Sequence, residues 1–330
     1  MSGTDIAYHL RPNKAIDRNL FIALLERIGR VRNISEYEYI GFGGPMLEDY
    51  KALHAALRIT RMHSIERDPD TFKRQQFNRP AGFVKLHFGD SDEFFRSHAF
   101  NEHGTIVWLD YTDFKHKTQL DELVGVASNL DCHDVIKITL NANVKHLGAE
   151  DQPTQDRAKL RLAEFVRRMG DYAPPDLTPA NMQGRAFPRT LQACVKRALG
   201  GLPAGKGGRY FQVLSSFLYS DGQPMLTVTG IIFRTPARSA GAEFKRLSRL
   251  TRWPFSNLDW SDPLPISVPP LTTKERMRLD EILPFVRGGD AQWQARLERH
   301  LGYKPGAAPD SLAHYARYYR NYPHFSRIYL

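Results

Sequence analysis

Cysteine is scarce in this sequence. Cys132 and Cys194 stand far apart and alone, a spacing that suits neither a zinc knuckle nor a disulfide framework. Long hydrophobic runs are missing as well. No stretch approaches the roughly 18 apolar residues that a membrane-spanning helix needs. Met1-Ser2-Gly3-Thr4-Asp5 has no basic head and no apolar core, which speaks against a signal peptide, so a cytoplasmic protein is expected. Internal repeats and low-complexity tracts are absent, which sets solenoids and flexible linkers aside. No group of His, Cys and acidic residues has metal-ligand spacing along the chain, so no metal centre is expected.

What remains is an ordinary globular composition, 330 residues with 42% hydrophobic and 25% charged. That length accommodates one large domain with an inserted or appended part. Lys and Arg total 46 against 36 acidic residues, a net charge of +10. Such an excess favours an anionic partner such as nucleic acid, although many soluble enzymes are basic without one.

The most informative stretch runs from Tyr37 to Glu66. A short apolar run, Tyr39-Ile40, ends in Gly41-Phe42-Gly43-Gly44-Pro45. Met46, Leu47, Tyr50, Leu53, Leu57 and Ile59 then recur at near-helical spacing. A second run, Met62-His63-Ser64-Ile65, ends in Glu66. Strand, glycine turn, helix, strand and acidic tip is the order of a nucleotide-binding βαβ unit. Glycines permit close approach to the backbone, and a carboxylate at a strand tip can accept both hydroxyls of a ribose. The competing reading is a plain tight turn beside a surface acid.

The alternation continues. Ile16, Leu20, Phe21, Leu24, Leu25 and Ile28 mark an amphipathic helix over residues 14–30. A helix around Asp70–Asn78 is followed by strand 83–88, which ends at Gly89-Asp90-Ser91. Strand 105–109 ends at Asp110-Tyr111-Thr112-Asp113-Phe114. Helix 117–129 and strand 135–140 complete five β-α steps, the pattern of a doubly wound parallel sheet. Residues 145–208 break it with a helical, basic stretch interrupted by Pro174-Pro175 and closed by glycines, Gly205 to Gly208 among them. Two long β runs, 210–219 and 225–233, flank Ser220-Asp221-Gly222, a strong hairpin signal. The expectation is therefore an α/β fold: a mostly parallel, seven-stranded, doubly wound sheet ending in an antiparallel hairpin. It comprises a domain over 1–235 with a helical insertion near 145–208, then a helical extension over 236–330. Helices are expected at 272–285, 290–301 and 309–319.

Five β-α steps closed by a hairpin resemble the class I, Rossmann-like fold of methyltransferases that use S-adenosylmethionine, over roughly residues 14–235. The chain also looks like a bacterial group labelled loosely as O-methyltransferases. The resemblance implies that Gly41, Gly43 and Gly44 form the loop beneath the methionine part of S-adenosylmethionine, that Glu66 binds its ribose, and that Asp90 and Ser91 contact adenine. It places Asp110 and Tyr111 facing the transferable methyl group. Two departures stand out. Tyr39 occupies the place of the acid usual two residues before the first glycine, with Glu38 one residue off and facing the other way by strand alternation. The tip at Asp110 lacks the prolines of the enzymes that methylate amino groups of DNA bases.

Methyl transfer from a sulfonium is an in-line displacement, so positioning and proton removal are the main tasks. Asp110 is the candidate base, with helix capping as its plain alternative, and Tyr111 either stacks on an acceptor or packs. His87, His116 and His146 are further candidates. Arg157, Arg161 and Arg168 on the first helix of the insertion, with Lys206 beyond it, suggest contact with a polyanion. The run from His314 to Phe325, with Arg317 and Arg320 among its tyrosines, suits either stacking with phosphate contact or, by preference, a docked terminal helix. The reading is an S-adenosylmethionine-dependent methyltransferase of open acceptor, with nucleic acid or a nucleotide slightly favoured by charge. The alternatives are a cofactor-binding module without catalysis and a nicotinamide-dependent oxidoreductase, which the hairpin argues against.

Overall fold

The fold is taken from a computed structural model that describes residues 11–202, 208–234, 238–306 and 308–323. Residues 1–5, 205–207 and 324–325, and the expected boundary at 235–236, lie outside the described residues. Helix α1 (Pro12–Ile28) leads into β1 (Glu38–Gly41), α2 (Glu48–Leu57), β2 (Arg61–Glu66) and α3 (Pro69–Asn78). Then come β3 (Val84–Phe88), α4 (Ser91–Ser97), β4 (Thr105–Asp110), α5 (His116–Asn129) and β5 (Val135–Asn141). Two helices follow, α6 (Thr154–Met169) and α7 (Ala186–Gly200), before the long strands β6 (Arg209–Ser220) and β7 (Pro224–Arg234). The chain continues through α8 (Arg238–Leu247), β8 (Leu264–Ile266), α9 (Thr273–Asp280), α10 (Asp290–Leu301) and α11 (Ser311–Tyr318).

The strands form one sheet in the order β3-β2-β1-β4-β5-β7-β6-β8. Pairing is parallel from β3 through β5, and β7 runs antiparallel to both β5 and β6. The hairpin turns at Asp221-Gly222, where Gly222 adopts φ +105°, a conformation that favours glycine. The sheet has an eighth strand beyond the seven expected. Three residues of β8 lie parallel to β6, Leu264 opposite Phe217 and Ile266 opposite Tyr219. Flanked by Pro263 and containing Pro265, β8 sits where proline is tolerated, at the sheet edge.

Side-chain alternation divides the sheet between two cores. Tyr39, Met62, Ile106, Trp108 and Val135 pack on one face with α1 and α2. Ile40, Ile65, Val107, Leu109, Ile136 and Ile138 pack on the other with α5 and α7. Helix α7 lies within the stretch expected as an insertion. Its buried Phe187, Leu191, Cys194 and Val195 cover the sheet in the same layer as α5. In the extension, Leu250, Trp253, Leu279, Leu297, Leu312, Tyr315, Tyr318 and Tyr322 join the core shared with α1. Helix α9 stops at Asp280 rather than Phe285, since Pro284 disfavours helical geometry in the residue before it. Among the described residues no helix is long and apolar enough to cross a membrane.

Helix α1 lacks a capping side chain of its own. The hairpin aspartate supplies one from a distance: Asp221 accepts the Asn13 N–H at 3.3 Å and the Lys14 N–H at 2.8 Å. Asn13 reciprocates by donating its amide to the Ser220 carbonyl at 3.0 Å. The turn that closes the sheet thus fixes where α1 starts, and with it the polar residues of the first helical turns.

Candidate functional site

Parallel strands end together at one edge, and the crevice outside that edge is where open α/β sheets bind ligands. Gly41 lies opposite Ser64 and Trp108, Glu66 opposite Phe88, and Asp110 opposite Thr139. The tips bearing Gly41, Glu66, Gly89-Asp90 and Asp110 are thereby gathered along β3-β2-β1-β4.

The loop after β1 is packed from within. A Cβ on Gly43 would lie 2.7 Å from Ser64 Oγ and 2.8 Å from Tyr50 Cε2, and closer still to Leu47. One on Gly41 would meet the Tyr39 hydroxyl at 2.8 Å. The Tyr50 hydroxyl sits 2.8 Å from the Gly41 carbonyl and 2.9 Å from that of His63, and Gly43 N–H donates to Ser64 Oγ at 3.3 Å. Gly41 and Gly43 therefore serve the packing of the loop itself. Gly44 takes φ +52°, and Gly89 at the β3 tip, with φ +144°, has open space where a side chain would stand.

Glu66 is half-buried. Its Oε1 accepts the Asp68 N–H at 2.8 Å, and it makes no ion pair among the described residues. Burial raises its pKa above the ordinary value, partly opposed by hydrogen bonds from the Asp68 and Arg67 backbone. Asp90 is exposed at the start of α4 without a side-chain cap bond, and Ser91 follows it half-buried.

Asp110 is not free. Lys14 Nζ of α1 contacts its Oδ2 at 2.5 Å, and both side chains are 8% exposed. Burial alone would raise this carboxyl, but Lys14, Thr139 and Lys137 outweigh it and hold the pKa below the ordinary value. A paired, acidic carboxylate accepts protons poorly, so its chemistry is that of a fixed anion. Tyr111 packs edge-on to Phe42 with ring centroids 5.4 Å apart.

The pair belongs to a row of largely buried charges that no local sequence pattern marks. Lys14, Asp17 and Arg18 stand at i, i+3 and i+4 on α1, one face of a helix. Asp17 Oδ2 meets Lys137 Nζ of β5 at 2.6 Å, and Asp17 Oδ1 accepts the Thr227 hydroxyl at 2.9 Å. Arg18 pairs with Asp49 at the start of α2. Lys137 also lies 3.9 Å from the Trp108 ring centroid. The partners are 96, 120 and 31 residues away, so no local spacing announces them.

Beyond the β4 and β5 tips, Phe114, His116, Asn143, His146, Phe165 and Phe187 line a small cavity under α6. His116 is buried and bonded to the Asn141 carbonyl at 2.8 Å. His146 is exposed and stacks on Phe114, with its pKa lowered by burial and by Arg168. His87, next to last in β3, places its Nε2 2.9 Å from His63 Nδ1. His63 and His98 in turn flank Glu38, on the face of the sheet that carries Ile40.

The three arginines expected to contact a polyanion are engaged locally. Arg157 donates to the carbonyls of Glu150 and Gln152, and Arg161 donates to the Gly148 carbonyl and pairs with Glu150. Arg168 bonds Glu164 at 2.6 Å and the His146 carbonyl at 3.1 Å. In the C-terminal segment Tyr315, Tyr318 and Tyr322 are buried, Arg317 pairs with Asp290 at 2.6 Å, and the exposed Arg320 lies against Tyr319.

Across residues 6–330 the chain matches the family described as "Putative O-methyltransferase". The chain belongs to that family. The strand order, with its antiparallel seventh strand, is that of the class I methyltransferase fold expected above. No curated protein matches the chain. Among solved structures it is similar to the N-methyltransferase NodS from Bradyrhizobium japonicum WM9, at 11% identity and TM-score 0.38, covering 67% of this chain and 97% of that one. Trm1 from Pyrococcus horikoshii, solved with S-adenosyl-L-methionine, is 10% identical with TM-score 0.45 and coverages of 92% and 84%. TYW2 from M. jannaschii, in complex with AdoMet, is 12% identical with TM-score 0.33 and coverages of 71% and 80%.

Proposed function

We propose that this family member is an S-adenosylmethionine-dependent O-methyltransferase acting on a small hydroxyl compound at the β4–β5 end of the strand-tip edge. The observation that carries the reading is the sheet order, which sets Glu66, Gly89-Asp90-Ser91 and Asp110 along one edge of a methyltransferase fold. The residues fit that cofactor at two points. Glu66 is a half-buried carboxylate that makes no ion pair among the described residues, Arg67 beside it pairing with Asp113 instead, and is suited to accept the hydroxyls of a ribose. Gly89 leaves the backbone open beside Asp90 and Ser91, where a flat base can approach.

When bound, S-adenosylmethionine supplies an electrophilic methyl group on a sulfonium. Asp110, held by Lys14, keeps a fixed negative charge near the edge and anchors α1 over it. Tyr111 and Phe42 form an aromatic wall beside it. His146, exposed and with a lowered pKa, is neutral at pH 7 and is the group we assign to take the proton from the acceptor hydroxyl. A small acceptor is preferred to a polyanion because Arg157, Arg161 and Arg317 are committed to contacts within the protein.

One observation favours a second reading. Asp110 is sequestered by Lys14, which would suit a module that binds the cofactor without transferring its methyl group. Calorimetric titration with S-adenosylmethionine and with NAD tests the shared premise: the first is expected to bind, and binding of NAD alone would refute it. Turnover of a panel of hydroxyl compounds then separates enzyme from module.

A further inference from the structure

We propose that Glu38, His63 and His98 form a site for a divalent first-row transition metal, with zinc as the natural occupant. The site does not depend on methyl transfer. Its three donors come from separate elements: the first residue of β1, the third of β2 and the residue just after α4. Their ligand atoms all lie within 4.8 Å of one another. Glu38 Oε1 is 3.0 Å from His63 Nε2, and Glu38 Oε2 is 3.0 Å from His98 Nε2. Metal–ligand bonds of about 2.0–2.1 Å place neighbouring donors about 3.0–3.4 Å apart, so only small shifts admit an ion. Two imidazoles and a carboxylate are a donor set that zinc accepts.

The surroundings have the features of a built site. Glu38 and His63 are buried, and His98 keeps 14% of its side chain exposed, so one side admits an ion and a water. No Lys or Arg pairs with Glu38 among the described residues; the two histidines are its ion-pair partners. His63 turns its other nitrogen, Nδ1, toward His87 Nε2 at 2.9 Å. With the metal on Nε2, Nδ1 carries the proton and donates it to His87, the outer hydrogen bond that fixes the tautomer of a metal-binding histidine. Phe94 stacks on His98 with centroids 4.6 Å apart and covers His87 at 4.8 Å, and Phe100 meets His98 edge-on. These rings form an apolar wall that limits water around the ion. A metal here would tie the end of α4 to β1 and β2, and α4 begins at the Asp90-Ser91 turn.

The same contacts also describe a metal-free arrangement in which both imidazoles donate to the carboxylate, and a titration separates the two. The full-length protein, stripped with chelator, would be titrated with zinc chloride by calorimetry and with cobalt(II) chloride by visible absorption. One ion per chain is expected, with cobalt(II) showing the intense visible bands of nitrogen–oxygen coordination. His87→Gln, which touches the ligand rather than the ion, should weaken binding by roughly 10–100-fold. Glu38→Gln and His98→Gln should weaken it more and abolish the cobalt bands. His103→Gln, at an exposed position, should leave binding unchanged. Thermal unfolding of each stripped variant shows whether it is folded, and the partly exposed His98 serves if Glu38→Gln is not. Absence of zinc and cobalt binding to the stripped protein would overturn the site, as would equal binding by His98→Gln and the parent.

Discussion

Replacing Lys137 by Met removes one partner of the most deeply buried ion pair among the described residues, in which Lys137 and Asp17 side chains are 1% and 0% exposed. The change keeps the length of the side chain and leaves the Asp17 carboxylate in the core with the Thr227 hydroxyl as its remaining side-chain hydrogen-bond partner among the described residues. Breaking a buried pair by removing one member costs about 3–5 kcal/mol, because the remaining charge is desolvated without compensation. The contact with the Trp108 ring is lost with the charge. At about 2 cal/mol/K of unfolding entropy per residue, the 330 residues give roughly 0.7 kcal/mol/K, so the melting temperature should fall by about 4–7 °C. Scanning calorimetry reads this directly. Adding Asp17→Leu removes the orphaned charge and should recover most of the loss, since apolar replacement of a whole buried pair is often neutral. A drop below about 1 °C in the single variant, or additive losses in the double, would refute the claim that α1 is pinned by buried charge.

Gly43→Val should lower the melting temperature as well as ligand binding, since its Cβ has no room between Leu47, Ser64 and Tyr50; a variant as stable as the parent would contradict this packing. Asp110→Asn should destabilise by about 3 kcal/mol in denaturant unfolding, from loss of the pair with Lys14, and leave the shape of the pH–rate profile unchanged. Loss of turnover by about 100-fold at full stability would instead make Asp110 the general base. Burial raises the Glu66 pKa, and only the ionised form is a strong acceptor. Affinity for S-adenosylmethionine should therefore fall as pH drops through a value above the ordinary Glu range; pH-independent binding between pH 7 and 4 would exclude this role. Anisotropy titrations with DNA and RNA should show weak association, unaffected by joint reversal of Arg157, Arg161 and Arg168. Tight binding with a steep salt slope would restore the polyanion reading.

The β-α alternation was legible because β1 to β4 are short runs that end in, or one residue before, a glycine or an acid, and because Asp221-Gly222 marks the hairpin. Strand β8 was not: three residues between and including prolines carry no periodicity. Helix α1 was read from its apolar stripe, yet Lys14, Asp17 and Arg18 share the buried face. A charged side chain reads as solvent-facing until its partner is known, and Asp110, Lys137 and Asp49 are joined to α1 only by the fold. The arginines of α6 looked like a patch for phosphate because charge is visible in sequence and engagement is not; the carbonyls of Gly148, Glu150 and Gln152 bind them locally. The stretch from Ala186 lay within the expected insertion because its chain position and basic residues were visible, whereas its packing beside α5 depends on tertiary contacts. The convergence of Glu38, His63, His87 and His98 likewise depends on strand register, with Ile40 opposite His63 and Ile65 opposite His87.

The proposed function requires that the strand-tip edge bind S-adenosylmethionine through Glu66. Isothermal titration of the purified protein and of its Glu66→Ala variant tests it most directly. One site per chain is expected in the parent, with a loss of about 2 kcal/mol, roughly 30-fold, in the variant, from removal of charge-assisted hydrogen bonds. Absence of binding to the parent, or equal affinity in the folded variant, would contradict it.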